Sequence, residues 1–297
     1  MTQYGGRMDM DGLIEQVLER SVSACEAAEA PQGLARAIRY SVFPGGARVR
    51  PKLCLAVSLA TGGPESAGVA SGAGAALELM HCASLVHDDL PAFDGAPVRR
   101  GKPSVHAAFG EPLAVLAGDA LIVMAFETLS RECRATPHLL APLMSILIEA
   151  VGAPRGIVAG QAWESEASID LSAYHRAKTG ALFVAAAMSG AVAAGLDPAP
   201  WRALGERLGE AYQVADDLRD ALLDEAELGK PAGQDALLYR PNAVERFGIA
   251  GALARLKALI ADASDAVPDC RGAAVLRDIV QAQAARLMPK SLLRDVA

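Results

Sequence analysis

The chain has 297 residues, 52% of them hydrophobic but only 4% aromatic, and a net charge of −7 at pH 7. That charge excludes a general nucleic-acid binder, whose affinity rests on a basic surface that neutralises phosphates. The apolar residues are mostly Ala, Leu and Val, which suit helices better than sheets, so an all-α fold is expected, and the length fits one large core, a single domain over 1–297.

Residues 1–11 hold no apolar stretch able to serve as a signal peptide. Apolar residues then recur at helical spacing over 10–28, 53–61, 70–90, 112–133, 141–151, 171–194, 201–223, 249–263 and 273–287, and no segment alternates as a strand does. Turn residues break this pattern at Pro44-Gly45-Gly46, Gly62-Gly63-Pro64, 152–156, Asp197-Pro198 and 229–233, and each break is too short for a flexible interdomain linker. The run 181–196 is the strongest membrane candidate, but it is shorter than a span requires and reads as a buried helix, so no transmembrane segment is expected. Cys25, Cys54, Cys82, Cys133 and Cys270 are scattered without a CxxC pair, which points to neither a disulfide framework nor a thiolate zinc site; a reducing cytoplasm is the expected location. Long helices with short connections predict a bundle whose site lies in its core, between facing helices.

Two acidic clusters interrupt the apolar sequence. The first, His87-Asp88-Asp89-Leu90-Pro91-Ala92-Phe93-Asp94, is followed by Arg99-Arg100-Gly101. Asp94 lies about 120° from Asp88 around an ideal helix, so the two do not share a straight face. Pro91, Gly95 and Pro97 predict that the helix distorts or ends there and lets Asp94 curl back. In the second cluster, Asp216-Asp217-Leu218-Arg219-Asp220, Asp216 and Asp220 share a helical face, with Gln213 one turn earlier. Carboxylates this close repel one another unless a cation neutralises them, and the plain alternative is a solvated acidic helix face. Hard oxygen donors with no Cys or His in zinc spacing favour Mg²⁺, which takes substrate phosphates as further ligands.

The cations lie close to these clusters in sequence. Arg99 and Arg100 follow the first, and Arg48 and Arg50 follow the first glycine turn; guanidinium forks match phosphate oxygens. His81, two turns before Asp88 on the same face, is positioned to donate to an anion, whereas His87 is expected to pack or to support the site from outside. Lys178-Thr179-Gly180 and Gly229-Lys230-Pro231-Ala232-Gly233 are weaker signals, each also readable as an ordinary helix end.

In this order the motifs resemble the trans-isoprenyl diphosphate synthases, most closely the bacterial geranylgeranyl diphosphate synthases of carotenoid and bacteriochlorophyll biosynthesis. The likeness runs through Gly45-Gly46-Ala47-Arg48-Val49-Arg50-Pro51, 85–103, Lys178-Thr179-Gly180, 213–220 and 229–235, about two thirds of the chain. It implies the isoprenoid synthase fold, a large helical bundle around a central cavity, in a homodimer. It also implies three Mg²⁺ per site, two on Asp88 and Asp94 with Asp89 in support, and the third on Asp216 with Asp217 and Asp220 nearby. Arg99, Lys178, Thr179, Gln213 and Lys230 are implied to serve the allylic diphosphate, and Arg50, His81 and Arg100 the isopentenyl diphosphate. Ala47 stands where the family carries Lys, a loss that Arg48, Arg50 or His81 is expected to make good. Arg240 replaces a second family Lys.

The reaction implied is ionisation of the allylic diphosphate to a carbocation, attack by the double bond of isopentenyl diphosphate, and proton loss, with no side-chain nucleophile. Farnesyl-producing relatives carry an aromatic residue one turn before the first Asp. Ala83 and Ser84 occupy that zone here, so a C20 product is expected. The cavity floor then falls deeper, on 112–133, where Ile122 and Phe126 lie one turn apart; core packing is the plainer reading of both. The alternatives are a farnesyl diphosphate synthase, a non-catalytic subunit of a heteromeric synthase, which usually loses the Asp clusters, and a cyclase, which lacks an isopentenyl diphosphate site.

Overall fold

Helices occupy most of the residues that the computed structural model describes, 9–222 and 242–285. In order they are α1 (Met10–Ser23), α2 (Gln32–Val42), α3 (Val49–Gly62), α4 (Ala67–Asp88), α5 (Val105–Phe109), α6 (Glu111–Glu132), α7 (Leu140–Val151), α8 (Ile157–Ala162), α9 (Leu171–His175), α10 (Ala181–Ala193), α11 (Arg202–Leu222), α12 (Ala243–Asp265) and α13 (Ala273–Ala285). A hairpin of β1 (Val98–Arg99) and β2 (Lys102–Pro103) is the exception to the expected absence of strands. Its two-residue turn, Arg100 at φ 54° and Gly101 at φ 73°, has the double positive φ of a type I′ connection, too short to leave an alternating pattern in the sequence.

Local chemistry sets several helix starts. The Asp9 carboxylate accepts the Gly12 N–H at 2.9 Å to open α1, and the Asn242 side chain accepts the Glu245 N–H at 2.8 Å to open α12. Such caps stabilise a helix by about 0.5–2 kcal/mol. The region 171–194, read from sequence as one helical run, is α9 and α10 joined by a π-turn, Arg176–Gly180. The sequence pattern also missed α2, an 11-residue helix whose buried side is largely Ala35, Ala37, Ile38 and Val42.

At the centre lies α4, which packs against α3, α6 and α10 and also touches α1, α2 and α7. Its middle, Ser71-Gly72-Ala73-Gly74-Ala75-Ala76, is buried, so small side chains let neighbouring helices close in on every face. Helix α10 is buried from Ala185 to Ala193, as expected of a helix that is apolar all round. A smaller apolar cluster joins Ala211, Val214, Ala215 and Leu218 of α11 to Ala252, Leu256 and Leu259 of α12. By length and composition the strongest membrane-span candidates are not 181–196 but Pro64–Asp88 and Glu111–Glu132. The first owes its apolar character to the core, since 78% of its apolar window is buried.

Candidate active site

The first acidic cluster sits where α4 ends. Helix α4 stops at Asp88, before Pro91, and the chain turns so that the Asp94 N–H donates to the Asp88 carbonyl at 2.9 Å and the Gly95 N–H to the Leu90 carbonyl at 3.0 Å. Gly95 makes the turn at φ 58°, a left-handed conformation that suits glycine. Asp94 does curl back. Burial pushes the Asp88 carboxyl up to about 6; Asp94 and Glu164 push the same way, while Lys178 and Arg99 oppose them.

Lys178 reaches this cluster from the π-turn, a device that re-aims side chains within a helical run. Its ammonium pairs with Glu164 and lies 5.8 Å from the Tyr174 ring centroid. Glu164 also accepts from Tyr174 Oη at 2.7 Å and from Gln161 Nε2 at 3.0 Å. The approach of α8 to the π-turn requires Gly160, because a Cβ there would stand 2.4 Å from Lys178 Cα. Glu164 was missed in the sequence; a lone acid just after an apolar segment gives little signal, and its partner lies fourteen residues away.

Beside the carboxylates is a group of arginines around His81. Burial holds the His81 imidazole well below its ordinary range, and Arg50, Arg100, Arg99 and Arg48 add to the effect in that order. Arg50 is buried, with its guanidinium 4.8 Å from the Phe183 ring centroid and 5.6 Å from that of Tyr212, and its Nε has no hydrogen-bond partner among the described residues. Arg100 donates to the Gly45 carbonyl, joining the hairpin tip to the first glycine turn. Arg99, which donates to Asp89, acts electrostatically on both Asp88 and His81.

Several expected site residues have partners within the protein. Arg48, anticipated among the diphosphate cations, is buried at φ 47° and donates to Glu15 at 2.8 Å, Glu78 at 2.9 Å and the Val42 carbonyl at 2.7 Å, so it ties α1 and α4 together. Asp89, expected to support the metal, is buried and takes three contacts from Arg99 at 2.6–2.9 Å. Asp217, also expected near the metal, is buried and accepts Gln213 Nε2 at 2.8 Å and the Ala243 N–H at 2.7 Å. Gln213 in turn accepts the Thr179 hydroxyl at 2.6 Å, so both ends of its amide are engaged.

Asp216 and Asp220 are half-buried on α11, and Asp216 lies 3.6 Å from Arg219. His87 packs on α6, with Nε2 3.3 Å from the Val115 carbonyl. Ala83 is buried, Ser84 donates to the His81 carbonyl at 2.9 Å, and Ile122 and Phe126 pack against the main core. Lys230 and Arg240 lie outside the described residues.

Among the described residues no three His, Cys, Asp or Glu side chains form a ready-made cage for a metal. The donor set nevertheless fits Mg²⁺. It consists of carboxylates alone, and the raised Asp88 pKa records a burial and like-charge burden that a bound cation would relieve. A Mg²⁺ that also takes phosphate oxygens and water needs only one or two protein carboxylates.

Residues 31–270 match the family described as polyprenyl synthetase. Two relatives are each 52% identical to the chain: the geranylgeranyl diphosphate synthase of Cereibacter sphaeroides, over 97% of this chain and 100% of the relative, and that of Rhodobacter capsulatus, over 95% and 97%. Among solved structures, the geranyltransferase from Helicobacter pylori complexed with magnesium and isoprenyl diphosphate matches with a TM-score of 0.75 at 27% identity, covering 95% of this chain and 100% of that one. The fold and these likenesses define a prenyltransferase of the all-α isoprenoid synthase class. The chain belongs to the polyprenyl synthetase family.

Proposed function

We propose that the chain is a Mg²⁺-dependent geranylgeranyl diphosphate synthase, joining isopentenyl diphosphate head-to-tail to dimethylallyl, geranyl or farnesyl diphosphate, with the product feeding carotenoid or bacteriochlorophyll biosynthesis. The observation that carries this reading is the adjacency of two opposite charge environments, carboxylates with Lys178 around Asp88 and arginines around His81, with Arg99 acting on both. A metal-bound diphosphate suits the first and a bare diphosphate the second. The names of the two 52% identical relatives support the C20 product, as does the small Ala83 in place of the aromatic residue that the family resemblance gives to farnesyl-producing relatives.

Asp88, Asp94, Asp216 and Asp220 would hold the ions, three in number, while Asp89 and Asp217 fix their neighbours instead. When bound, Mg²⁺ would supply positive charge to the leaving diphosphate. Lys178 and Arg99, with Lys230 and Arg240, bind and orient the allylic diphosphate; Arg50, His81 and Arg100 hold isopentenyl diphosphate. Holding both substrates in line turns a bimolecular encounter into a reaction within one complex. Burial of the carbocation excludes water, which would otherwise capture it.

The whole of 1–297 is taken as one domain acting as a homodimer in a reducing cytoplasm. The exposed apolar residues Val115, Leu116 and Val123 on α6 support association, and five free cysteines suit a reducing compartment. The test is incubation of the purified protein with Mg²⁺, isopentenyl diphosphate and each allylic primer. A dominant C20 product is expected and EDTA should abolish it; a dominant C15 product would indicate a farnesyl diphosphate synthase, and no product a non-catalytic subunit.

A further inference from the structure

We infer that Tyr40 is a positioning residue: it anchors the base of the hairpin that carries Arg99 and Arg100, and so holds the Arg100 guanidinium against the first glycine turn, where it meets isopentenyl diphosphate. The inference rests on the reading of Arg100 as a residue that binds this substrate.

The hairpin is too small to hold its own place. It has two residues in each strand, Val98 paired with Pro103 and Arg99 with Lys102, and its open end is closed by the Ser104 N–H donating to the Pro97 carbonyl at 2.9 Å. An isolated two-stranded hairpin is marginal in water, so contacts from outside must fix its position. Hydrogen bonds do so at three points. In the middle, Arg99 donates to Asp89 at 2.6–2.9 Å. At the tip, Arg100 donates to the Gly45 carbonyl, and it lies so close to the turn that a Cβ on Gly46 would stand 2.7 Å from Arg100 Nη1. At the base, the Tyr40 hydroxyl on α2 donates to the Pro103 carbonyl at 2.7 Å.

These anchors are unequal. Asp89 is buried and grips Arg99 through three contacts, whereas Arg100 is exposed, at φ 54°, and meets the turn through its guanidinium. Such a guanidinium stays in place only while the backbone beneath it is fixed. Tyr40 supplies that support. Its ring stands edge-on to Phe109 of α5, with centroids 5.3 Å apart, which restricts where the hydroxyl can point. Helix α2 then runs directly into the glycine turn that receives Arg100, so one short segment, 40–46, grips the hairpin at base and tip. The same turn leads into α3 and the buried Arg50, and the spacing of Arg100 from Arg50 follows from this grip.

Tyr40→Phe removes the hydroxyl and keeps the ring on Phe109. Pro103 is exposed, so water competes for its carbonyl and the lost hydrogen bond counts at the low end of the usual range; the KM for isopentenyl diphosphate should rise about threefold. Arg99 keeps its hold on Asp89, so the KM for the allylic primer and kcat should stay within about twofold. In an Arg100→Gln background, Tyr40→Phe should raise the isopentenyl diphosphate KM no further. Limited trypsin digestion reads the hairpin without turnover, because the bond after Arg100 is cut only when the tip leaves the turn. Cleavage there should be about threefold faster in Tyr40→Phe and slower when isopentenyl diphosphate is added.

An unchanged isopentenyl diphosphate KM, an equal rise in both KM values, or the same rise in the Arg100→Gln background overturns the inference, as does unchanged cleavage. Should Tyr40→Phe not fold, Phe109→Leu frees the Tyr40 ring instead and is read by the same measurements. A wild type that makes no prenyl product defeats the proposed function, a separate outcome, and the cleavage comparison with and without isopentenyl diphosphate then decides the anchoring.

Discussion

Replacing Asp89 by Asn distinguishes a metal ligand from a residue that positions Arg99. The Asp89 side chain is 3% exposed and accepts Arg99 Nε at 2.9 and 2.8 Å and Nη2 at 2.6 Å. Asn keeps the shape but loses the charge and one acceptor oxygen. Removing one partner of a buried ion pair costs about 3–5 kcal/mol. Arg99 is 27% exposed, so water reaches it and the retained amide oxygen still accepts, which lowers the expected cost to about 2–3 kcal/mol. Burial pushes the Asp89 carboxyl above its ordinary range even though Arg99 pulls it down, so desolvation cancels part of the Coulomb gain and the pair as a whole contributes less than the single change suggests. Urea unfolding in EDTA of Asp89→Asn, Arg99→Gln and the double variant should give a coupling energy of about 2 kcal/mol, and Asp89→Asn alone a fall in Tm of about 4–10 °C. A change in stability below about 0.5 kcal/mol, together with a raised Mg²⁺ requirement for turnover, would make Asp89 a metal ligand and refute the positioning role.

Burial depresses the His175 pKa to about 4, with Glu210 opposing. The unfolded chain takes up that proton near 6.5 and the folded chain does not, so this contribution is full above pH 6.5 and lost as pH falls toward 4. It amounts to about 1–2 kcal/mol once partial exposure is allowed for, and His175→Gln should flatten the stability curve in that window; an unchanged slope would defeat the assignment. Burial pushes the Cys54 and Cys82 thiols up to about 12, so both should resist a thiol reagent at pH 8 until the protein unfolds, and rapid native labelling detected by mass spectrometry would contradict their burial. Ala83→Phe should shorten the product. If a cavity lies below Ala83 the ring enters it at little cost, whereas a closed core would lose about 1–3 kcal/mol and keep its product distribution.

The curl of Asp94 toward Asp88 was legible because Pro91, Gly95 and Pro97 constrain the backbone locally, and the buried character of α10 because nothing polar interrupts it. What was not legible was the division of labour within doublets. Arg48 and Arg50 follow the same glycine turn, yet Arg48 turns inward to Glu15 and Glu78, partners 33 and 30 residues away, while Arg50 lies over Phe183 and Tyr212. No local pattern encodes such distant partners. The acidic pairs offered a usable clue, since adjacent helical positions point about 100° apart and two neighbouring carboxylates cannot both face one ion squarely. Asp88 and Asp89 obey that constraint, with one toward Lys178 and Asp94 and the other held by Arg99. Asp216 and Asp217 repeat it, the first beside Arg219 and the second turned to Gln213 and the start of α12. Each cluster thus pairs a carboxylate that lies among basic side chains with one that fixes the geometry around it. The doubled Asp thus divides into two residues with different partners, which the sequence, showing only two like carboxylates side by side, does not reveal.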